Sequence, residues 1–104
     1  MLLTVKSDAE LKAFLLERKN LFERIVELAK NNINESNEIA GSIYLSSVKR
    51  DDKSGVVDVI IGGIVDNWVG YLYIPDGASV PEMSAAHYIY LEHIIDNWYI
   101  YKTT

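Results

Sequence analysis

The sequence predicts an α+β domain in which one N-terminal amphipathic helix packs on one face of an antiparallel β-meander of four to five strands. Apolar residues recur at helical spacing between residues 7 and 31, and the pattern changes to a period of two from Ile39 onward. An Asp-Asn-Trp motif occurs at residues 66–68 and again at 96–98, each time between apolar runs. Because an Asp-Asn pair tolerates the positive φ angles of a two-residue hairpin loop, the motif predicts two hairpins with the same turn.

The helix is predicted at about residues 7 to 31. Ser7 and Glu10 form a capping-box pattern at its start, and a run rich in asparagine closes it. Arg18 falls inside the apolar stripe, where it can lay its methylene groups across the edge of the core. A kink near Lys19 is the alternative. The stripe itself consists of Leu11, Phe14, Leu15, Phe22, Ile25, Val26 and Ala29.

The strands are predicted at about residues 41–50, 56–65, 68–74, 87–95 and 98–103. An irregular segment at 75–86 separates the third strand from the fourth, and no linker or low-complexity tract divides the chain. We therefore predict a single domain over residues 1–104. The order of one helix followed by antiparallel strands resembles cystatin-like and cone-shaped α+β folds in architecture alone, so it implies no role for any residue.

The turn positions predict which side chains share a face of the sheet. If Asp66 and Asn67 form the first turn, Val65 opposes Trp68 and Ile60 opposes Tyr73, and directly opposed residues point to the same side. With the same rule for the second hairpin, one face is aliphatic, carries both tryptophans and is predicted to pack on the helix. The other face is predicted to carry Tyr44, Tyr71, Tyr73, Tyr88, Tyr90, Tyr99 and Tyr101 together with Glu92.

This acidic, tyrosine-rich face is the predicted partner-binding surface, because tyrosine offers a large contact area with a polar tip. The alternatives are that cross-strand tyrosine pairs stabilise a solvated sheet, or that the chain folds back over them. We predict a non-enzymatic interaction module, either for self-association as a homodimer or for a basic partner, as a small inhibitor or immunity-type protein would be.

The charge distribution favours a basic protein as that partner. The net charge is −5, and residues 54–104 carry six acidic residues against Lys102 alone. An acidic surface disfavours nucleic acid, although the acids could equally serve solubility. The chain has no cysteine, which excludes disulfides and mildly favours a cytoplasmic location. Since the first residues lack a signal-peptide pattern and no apolar run approaches the ~20 residues of a membrane span, we expect no membrane association.

The alternative prediction is a small-ligand or enzymatic pocket between helix and sheet, gated by residues 75–86. Its residues would be Asp76, Glu82 and His87. The other histidine, His93, is expected in the core or at its rim. The sequence contains no nucleophile elbow and no i, i+4 ligand pair, so we assign no catalytic residue, metal or cofactor, and enzymatic activity stays open as the less favoured alternative.

Overall fold

The computed structural model describes residues 8–64, 67–78 and 88–103, and it confirms an α+β fold with an antiparallel sheet. The elements are α1 (Asp8–Glu17), α2 (Lys19–Asn31), α3 (Ile33–Ser42), β1 (Ser47–Arg50), β2 (Val57–Ile64), β3 (Asn67–Tyr73), β4 (Tyr88–Ile95) and β5 (Trp98–Thr103). The strand order is β1-β2-β3-β5-β4. The sheet therefore departs from the predicted meander at one place, because β5 lies between β3 and β4. None of the helices in the described ranges combines the length and apolarity needed to cross a membrane.

The single helix predicted at 7–31 is broken at Arg18, next to the predicted kink. Arg18 has φ −120° and ψ 26°, and α2 begins at the following residue. The Arg18 guanidinium lies 4.0 Å from the centre of the Phe14 ring, and its Nη1 donates a hydrogen bond to the Phe14 carbonyl oxygen over 3.3 Å. The side chain thus covers the edge of the core, as predicted, and also provides a partner for a carbonyl at the end of α1.

Helix α3 is absent from the sequence prediction, which ended the helix at about residue 31 and began the first strand at about residue 41 without an element between them. The asparagine-rich run both ends α2 and begins α3. The Asn32 Oδ1 accepts a hydrogen bond from the Glu35 amide and so caps the start of α3. Ser36 is fully buried and donates to the Ile25 carbonyl oxygen over 2.7 Å, and Ala40 is buried as well. Packing against α2 therefore decides the structure of a segment whose composition favours a loop.

Asn37 fixes where the first strand begins. Its Oδ1 accepts from the Val48 amide over 2.8 Å, and its Nδ2 donates to the Val48 carbonyl oxygen over 3.2 Å. One side chain on α3 thus makes the pair of hydrogen bonds that a neighbouring strand would make to β1. β1 is consequently held between α3 and β2, and it is much shorter than predicted.

Tyr44 occupies the left-handed position that closes α3. The Leu45 amide donates to the Ala40 carbonyl and the Tyr44 amide to the Gly41 carbonyl, which is the Schellman pattern. This places Tyr44 at φ 66°, a conformation that favours glycine, while its side chain is 92% exposed. The sequence predicted Tyr44 on the first strand, and this is wrong, because Tyr44 lies in the turn before β1.

We expect Tyr44→Gly to raise the free energy of unfolding by about 1 kcal/mol, because glycine relieves the left-handed strain and little packing is lost. Urea denaturation measures the change. The matched variant Tyr44→Ala removes the same side chain and keeps the strain, so the two substitutions should differ by about this amount. Equal stabilities of the two variants would show that the backbone is not strained there.

One-residue bulges in β2 and β4 decide which side chains face the helices. At the first turn the predicted register is wrong: Asn67 belongs to β3 and pairs with Ile64, and Trp68 pairs with Gly63. Gly62 then pairs with Val69, but after the bulge at Ile61 the pairing becomes Ile60 with Gly70 and Val59 with Tyr71. The extra residue exchanges the faces of everything beyond it. In β4 the register shifts twice, between Tyr88 and Tyr90 and between His93 and Ile95. The bulge at Ile94 exchanges the faces in the same way, although Ile95 does pair with Trp98 as predicted.

The bulge at Ile61 brings Tyr71 to the helix side, where it joins an aromatic cluster around Phe22. The Tyr71 ring lies 5.0 Å from Phe22 and the Trp98 ring 5.4 Å from it, both in edge-to-face arrangement. The Tyr71 hydroxyl donates to the Leu11 carbonyl oxygen over 2.6 Å. Because its polar tip is satisfied by α1, this tyrosine is fully buried at little cost.

On the opposite face, Tyr101 covers Gly70, the residue that it opposes across β3 and β5. A Cβ atom at Gly70 would lie 2.6 Å from the Val59 carbonyl oxygen and 2.7 Å from the Tyr101 ring. This glycine is required by the close approach of two neighbours.

Gly70→Ala should lower the free energy of unfolding by about 2 to 3 kcal/mol, because the backbone oxygen of Val59 cannot move aside without disturbing the sheet. Gly62→Ala on the same hairpin is the control, since a Cβ there meets nothing within 4 Å. Chemical denaturation of both variants measures the difference. A Gly70→Ala protein as stable as Gly62→Ala would contradict the close packing.

Candidate functional site

A cleft lies at the end of the sheet where β3 ends and β5 begins. Its volume is about 550 Å³, within the range typical of binding pockets. We call it the acidic cleft. It is lined by Glu23, Tyr73, Ile74, Pro75, Asp76, Gly77, Ala78, Asp96, Asn97, Trp98 and Tyr99.

Asn97 holds the two sides of the acidic cleft together. Its Nδ2 donates to the Ile74 carbonyl oxygen over 2.8 Å and to Asp76 Oδ1 over 2.9 Å. In return the Ile74 amide donates to the Asn97 carbonyl oxygen over 2.9 Å. The predicted turn places Asn97 here, since Asp96 adopts φ 51°, which Asp and Asn tolerate best among residues with a side chain.

Three carboxylates surround the cleft, and one ammonium group pairs with two of them. Lys19 Nζ lies 2.6 Å from Asp96 Oδ2 and 3.8 Å from Glu23 Oε2. The hydrogen bond to Asp96 raises the pKa of Lys19. Asp76 instead accepts from Asn97, so two carboxylates share one lysine and the third has a neutral partner. Within the described part of the chain, no three His, Cys, Asp or Glu side chains lie close enough together to hold a metal ion.

Aromatic side chains form the apolar part of the cleft. Tyr73 and Tyr99 are partly exposed there, while Trp98 is fully buried and packs edge-to-face with Tyr73 at 5.2 Å. The indole N–H of Trp98 has no hydrogen-bond acceptor among the described residues. Buried donors without acceptors are rare in native proteins.

The prediction that the tyrosines share one face with Glu92 is wrong, because the two bulges divide them. Tyr71, Tyr73, Tyr90 and Glu92 lie on the side of the helices. The first two and Glu92 lie opposite core residues, and Tyr90 lies opposite Lys102, which pairs with Asp8 of α1. Tyr99 and Tyr101 lie on the other face. The side chain of Tyr88 lies outside the description, although its backbone pairs with Thr103 in β4 and β5.

Tyr90 and Glu92 attach α1 to the sheet. The carboxylate of Glu92 pairs with the Lys12 ammonium and accepts a hydrogen bond from the Tyr90 hydroxyl. Both contacts lower the pKa of Glu92, and the hydrogen bond to Glu92 raises the pKa of Tyr90. Lys102 lies 3.0 Å from Asp8 and above the Tyr90 ring. These two predicted partner-binding residues are therefore engaged within the chain.

The face without helices carries a partly buried carboxyl group, that of Asp58. It accepts a hydrogen bond from the Tyr101 hydroxyl over 2.6 Å and lies opposite the exposed Lys49. Burial raises the pKa of Asp58, and the hydrogen bond from Tyr101 opposes this in part. The exposed His93 lies on the same face, where its Nε2 is 2.7 Å from the Asp96 carbonyl oxygen, so it is a rim residue rather than a core residue.

Ionisation of Asp58 should destabilise the fold. Because its pKa is raised in the folded state, Asp58 contributes stability while it is protonated at low pH, and this is lost as the pH rises through the folded-state value. The uncharged Asp58→Asn should therefore gain stability relative to the wild type between pH 3 and pH 7. Denaturation at both pH values tests this, with the exposed Asp52→Asn as control, and an unchanged difference would refute it.

The residues of the predicted alternative pocket are only partly described. Asp76 lines the acidic cleft, whereas Glu82 and His87 lie outside the described residues, as does most of the proposed gate. Sequence reasoning did not single out Glu23, Asp96 and Asn97 as site residues. The repeated Asp-Asn motif was the one available signal for the last two.

Comparison of the chain with models of known protein families, with curated proteins and with solved structures gives no match. A function for this chain must therefore be argued from its own geometry.

Proposed function

We propose that the protein is a non-enzymatic interaction module that binds a basic protein partner at the acidic cleft. The observation that carries this proposal is the surplus of negative charge there. Glu23, Asp76 and Asp96 line the cleft, and among the described residues only Lys19 pairs with any of them. Electrostatic complementarity of this kind steers a cationic partner to its site and fixes its orientation.

The proposed partner is the one expected from the sequence, but the surface is different. Tyr73 and Tyr99 belong to the predicted binding set and line the cleft. Tyr71, Tyr90 and Glu92 are engaged with the helices. We therefore keep the basic partner and place it at the end of the sheet rather than on one of its faces.

Three other expectations stay predictions. A small-ligand pocket would use the same cleft, and its volume is compatible with a free organic cation. Self-association can be tested by light scattering over a hundredfold dilution. A cytoplasmic location, as the lack of cysteine favours, belongs to the same proposal.

The proposal predicts that a labelled lysine- and arginine-rich peptide binds the protein, and that the double variant Glu23→Gln/Asp76→Asn weakens binding roughly tenfold, the sum of two partly exposed ion pairs. Fluorescence anisotropy at about 20 mM salt measures it. Binding should weaken at ~200 mM salt, where exposed charges are screened.

The matched control is Glu27→Gln/Glu38→Gln, which removes two exposed carboxylates outside the cleft and changes the net charge equally. An equal loss in both double variants would mean that net charge alone attracts the peptide. That result, or no saturable binding at all, would overturn the proposal.

A further inference from the structure

Helix α1 is joined to the rest of the described chain at one bent residue, Arg18, and it packs on the sheet through contacts that a second copy could provide equally well. We infer that two copies of the protein form a homodimer by exchanging α1, so that each α1 packs on the sheet of the other copy. The inference goes beyond the proposed function, since none of the residues that it uses lines the acidic cleft.

The break at Arg18 is not imposed by the local sequence. Residues 16–21 contain neither proline nor glycine, and four of the residue types there, Leu, Glu, Arg and Lys, are good helix formers. Arg18 nevertheless has φ −120° and ψ 26°, far from helical values, so the chain changes direction there. The apolar spacing over residues 7–31 favours one continuous helix. The burial of Leu11 and Leu15 in the same core as α2 maintains the bend.

The Arg18 side chain holds this bend in place. In a continuous helix the Arg18 amide would donate to the Phe14 carbonyl oxygen, four residues earlier. That oxygen instead accepts from the Arg18 guanidinium, whose Nη1 lies 3.3 Å away, and the Arg18 amide donates to the Leu15 carbonyl oxygen over 3.0 Å. The same guanidinium lies over the Phe14 ring. The hydrogen bond that a continuous helix needs is thus replaced by one that depends on a single side chain.

Straightening at Arg18 would move α1 off its own sheet. A continuous helix over residues 8–31 would be about 36 Å long at 1.5 Å per residue, which exceeds the longest dimension of the protein, 32 Å. The α1 part of that helix would therefore project from the molecule. Its buried side chains, Leu11 and Leu15, would be exposed to water unless a second copy received them.

The sheet of a second copy offers α1 the same contacts as its own sheet. Three polar contacts attach α1 to β3, β4 and β5, and each joins one residue of α1 to one residue of a strand: Leu11 to Tyr71, Lys12 to Glu92 and Asp8 to Lys102. All three would form between two copies as they form within one. Exchange of an identical element is a low-cost route to a closed, two-fold symmetric dimer for this reason. The conformation of Arg18 therefore decides between monomer and dimer.

The first test is a cross-link between copies, which is free of background because the chain has no cysteine. Asp8→Cys and Lys102→Cys are prepared as separate proteins, mixed in denaturant, refolded together at millimolar concentration and treated with a short bis-maleimide. In an exchanged dimer the two thiols come from different copies, so digestion and mass spectrometry should find the 8–102 link. Asp52→Cys, exposed in the loop between β1 and β2, replaces Lys102→Cys in the control mixture and should give no link to residue 8.

Variants of the hinge provide the second test, with light scattering to measure the dimer dissociation constant. Arg18→Ala removes the contacts that hold the bend and should lower this constant roughly tenfold, one partly exposed hydrogen bond in each copy. Arg24→Ala, exposed on α2, changes the net charge equally and should leave it unchanged. Arg18→Gly loses the same contacts but disfavours a continuous helix, so its dissociation constant should be roughly tenfold higher than that of Arg18→Ala.

A locked monomer completes the experiment. The double variant Asp8→Cys/Lys102→Cys, cross-linked in dilute solution, fixes α1 on its own sheet and should stay monomeric where the wild type dimerises. Dimerisation of the locked protein would overturn the inference, as would a wild type that stays monomeric at millimolar concentration or a dimer without the 8–102 link. Equal dissociation constants for Arg18→Ala and Arg24→Ala would overturn it too. Binding of a basic peptide is measured separately, so none of these results decides the proposed function.

Discussion

Two bulges, at Ile61 and Ile94, keep the aromatic residues of the sheet against the helices. A strand alternates its side chains with a period of two, so one extra residue exchanges the faces of everything beyond it. Without the bulge in β2, Val57 would oppose Ile74 rather than Tyr73, and Val59 would oppose Leu72 rather than Tyr71. The cluster around Phe22 would then lose Tyr71, which supplies both a ring contact and the hydrogen bond to α1. The bulges at Ile61 and Ile94 therefore decide which side chains are buried under the helices and where α1 packs on the sheet.

Much of the uneven charge of the sequence is used in ion pairs between the helices and the sheet. The acidic strands meet basic side chains of the helices: Glu92 pairs with Lys12, and Asp96 pairs with Lys19. Lys102 in turn pairs with Asp8. An exposed ion pair contributes little on its own, but these three pairs, two with the acid on the sheet side and one with the acid on α1, together help to select the orientation of the helices on the sheet. At the acidic cleft three carboxylates meet one lysine, which pairs with two of them, so the cleft carries a surplus of negative charge.

The sequence predicts much of the fold because turns and apolar periods are local signals. The bounds of β5 match the prediction, Trp98 and Ile100 face the helices as expected, and the Asp96-Asn97 turn is where the motif places it. Helix α3 was missed because Ser36 and Asn37 act through partners that are distant in sequence, Ile25 and Val48. Gly62 and Gly63 are a local signal for the bulge at Ile61, since glycine inside a strand is typical of a bulge, but Ile94 has no such signal beside it. A register argument from turn positions alone takes no account of either bulge, so it assigned three of the five strand tyrosines with described side chains to the wrong face.

The cleft is preorganised by the core and not by its own loop. Trp98 packs edge-to-face with both Phe22 and Tyr73, so this buried residue of the cleft is fixed by the same cluster that joins helices and sheet. Asn97, the residue before it, ties the chain after β3 to the β4–β5 turn through three hydrogen bonds. Side chains that are already ordered lose little conformational entropy when a ligand binds. A partner that brings a cationic side chain to this cleft would therefore meet a lining that is already ordered, and it would compete with Lys19 for Asp96 and Glu23.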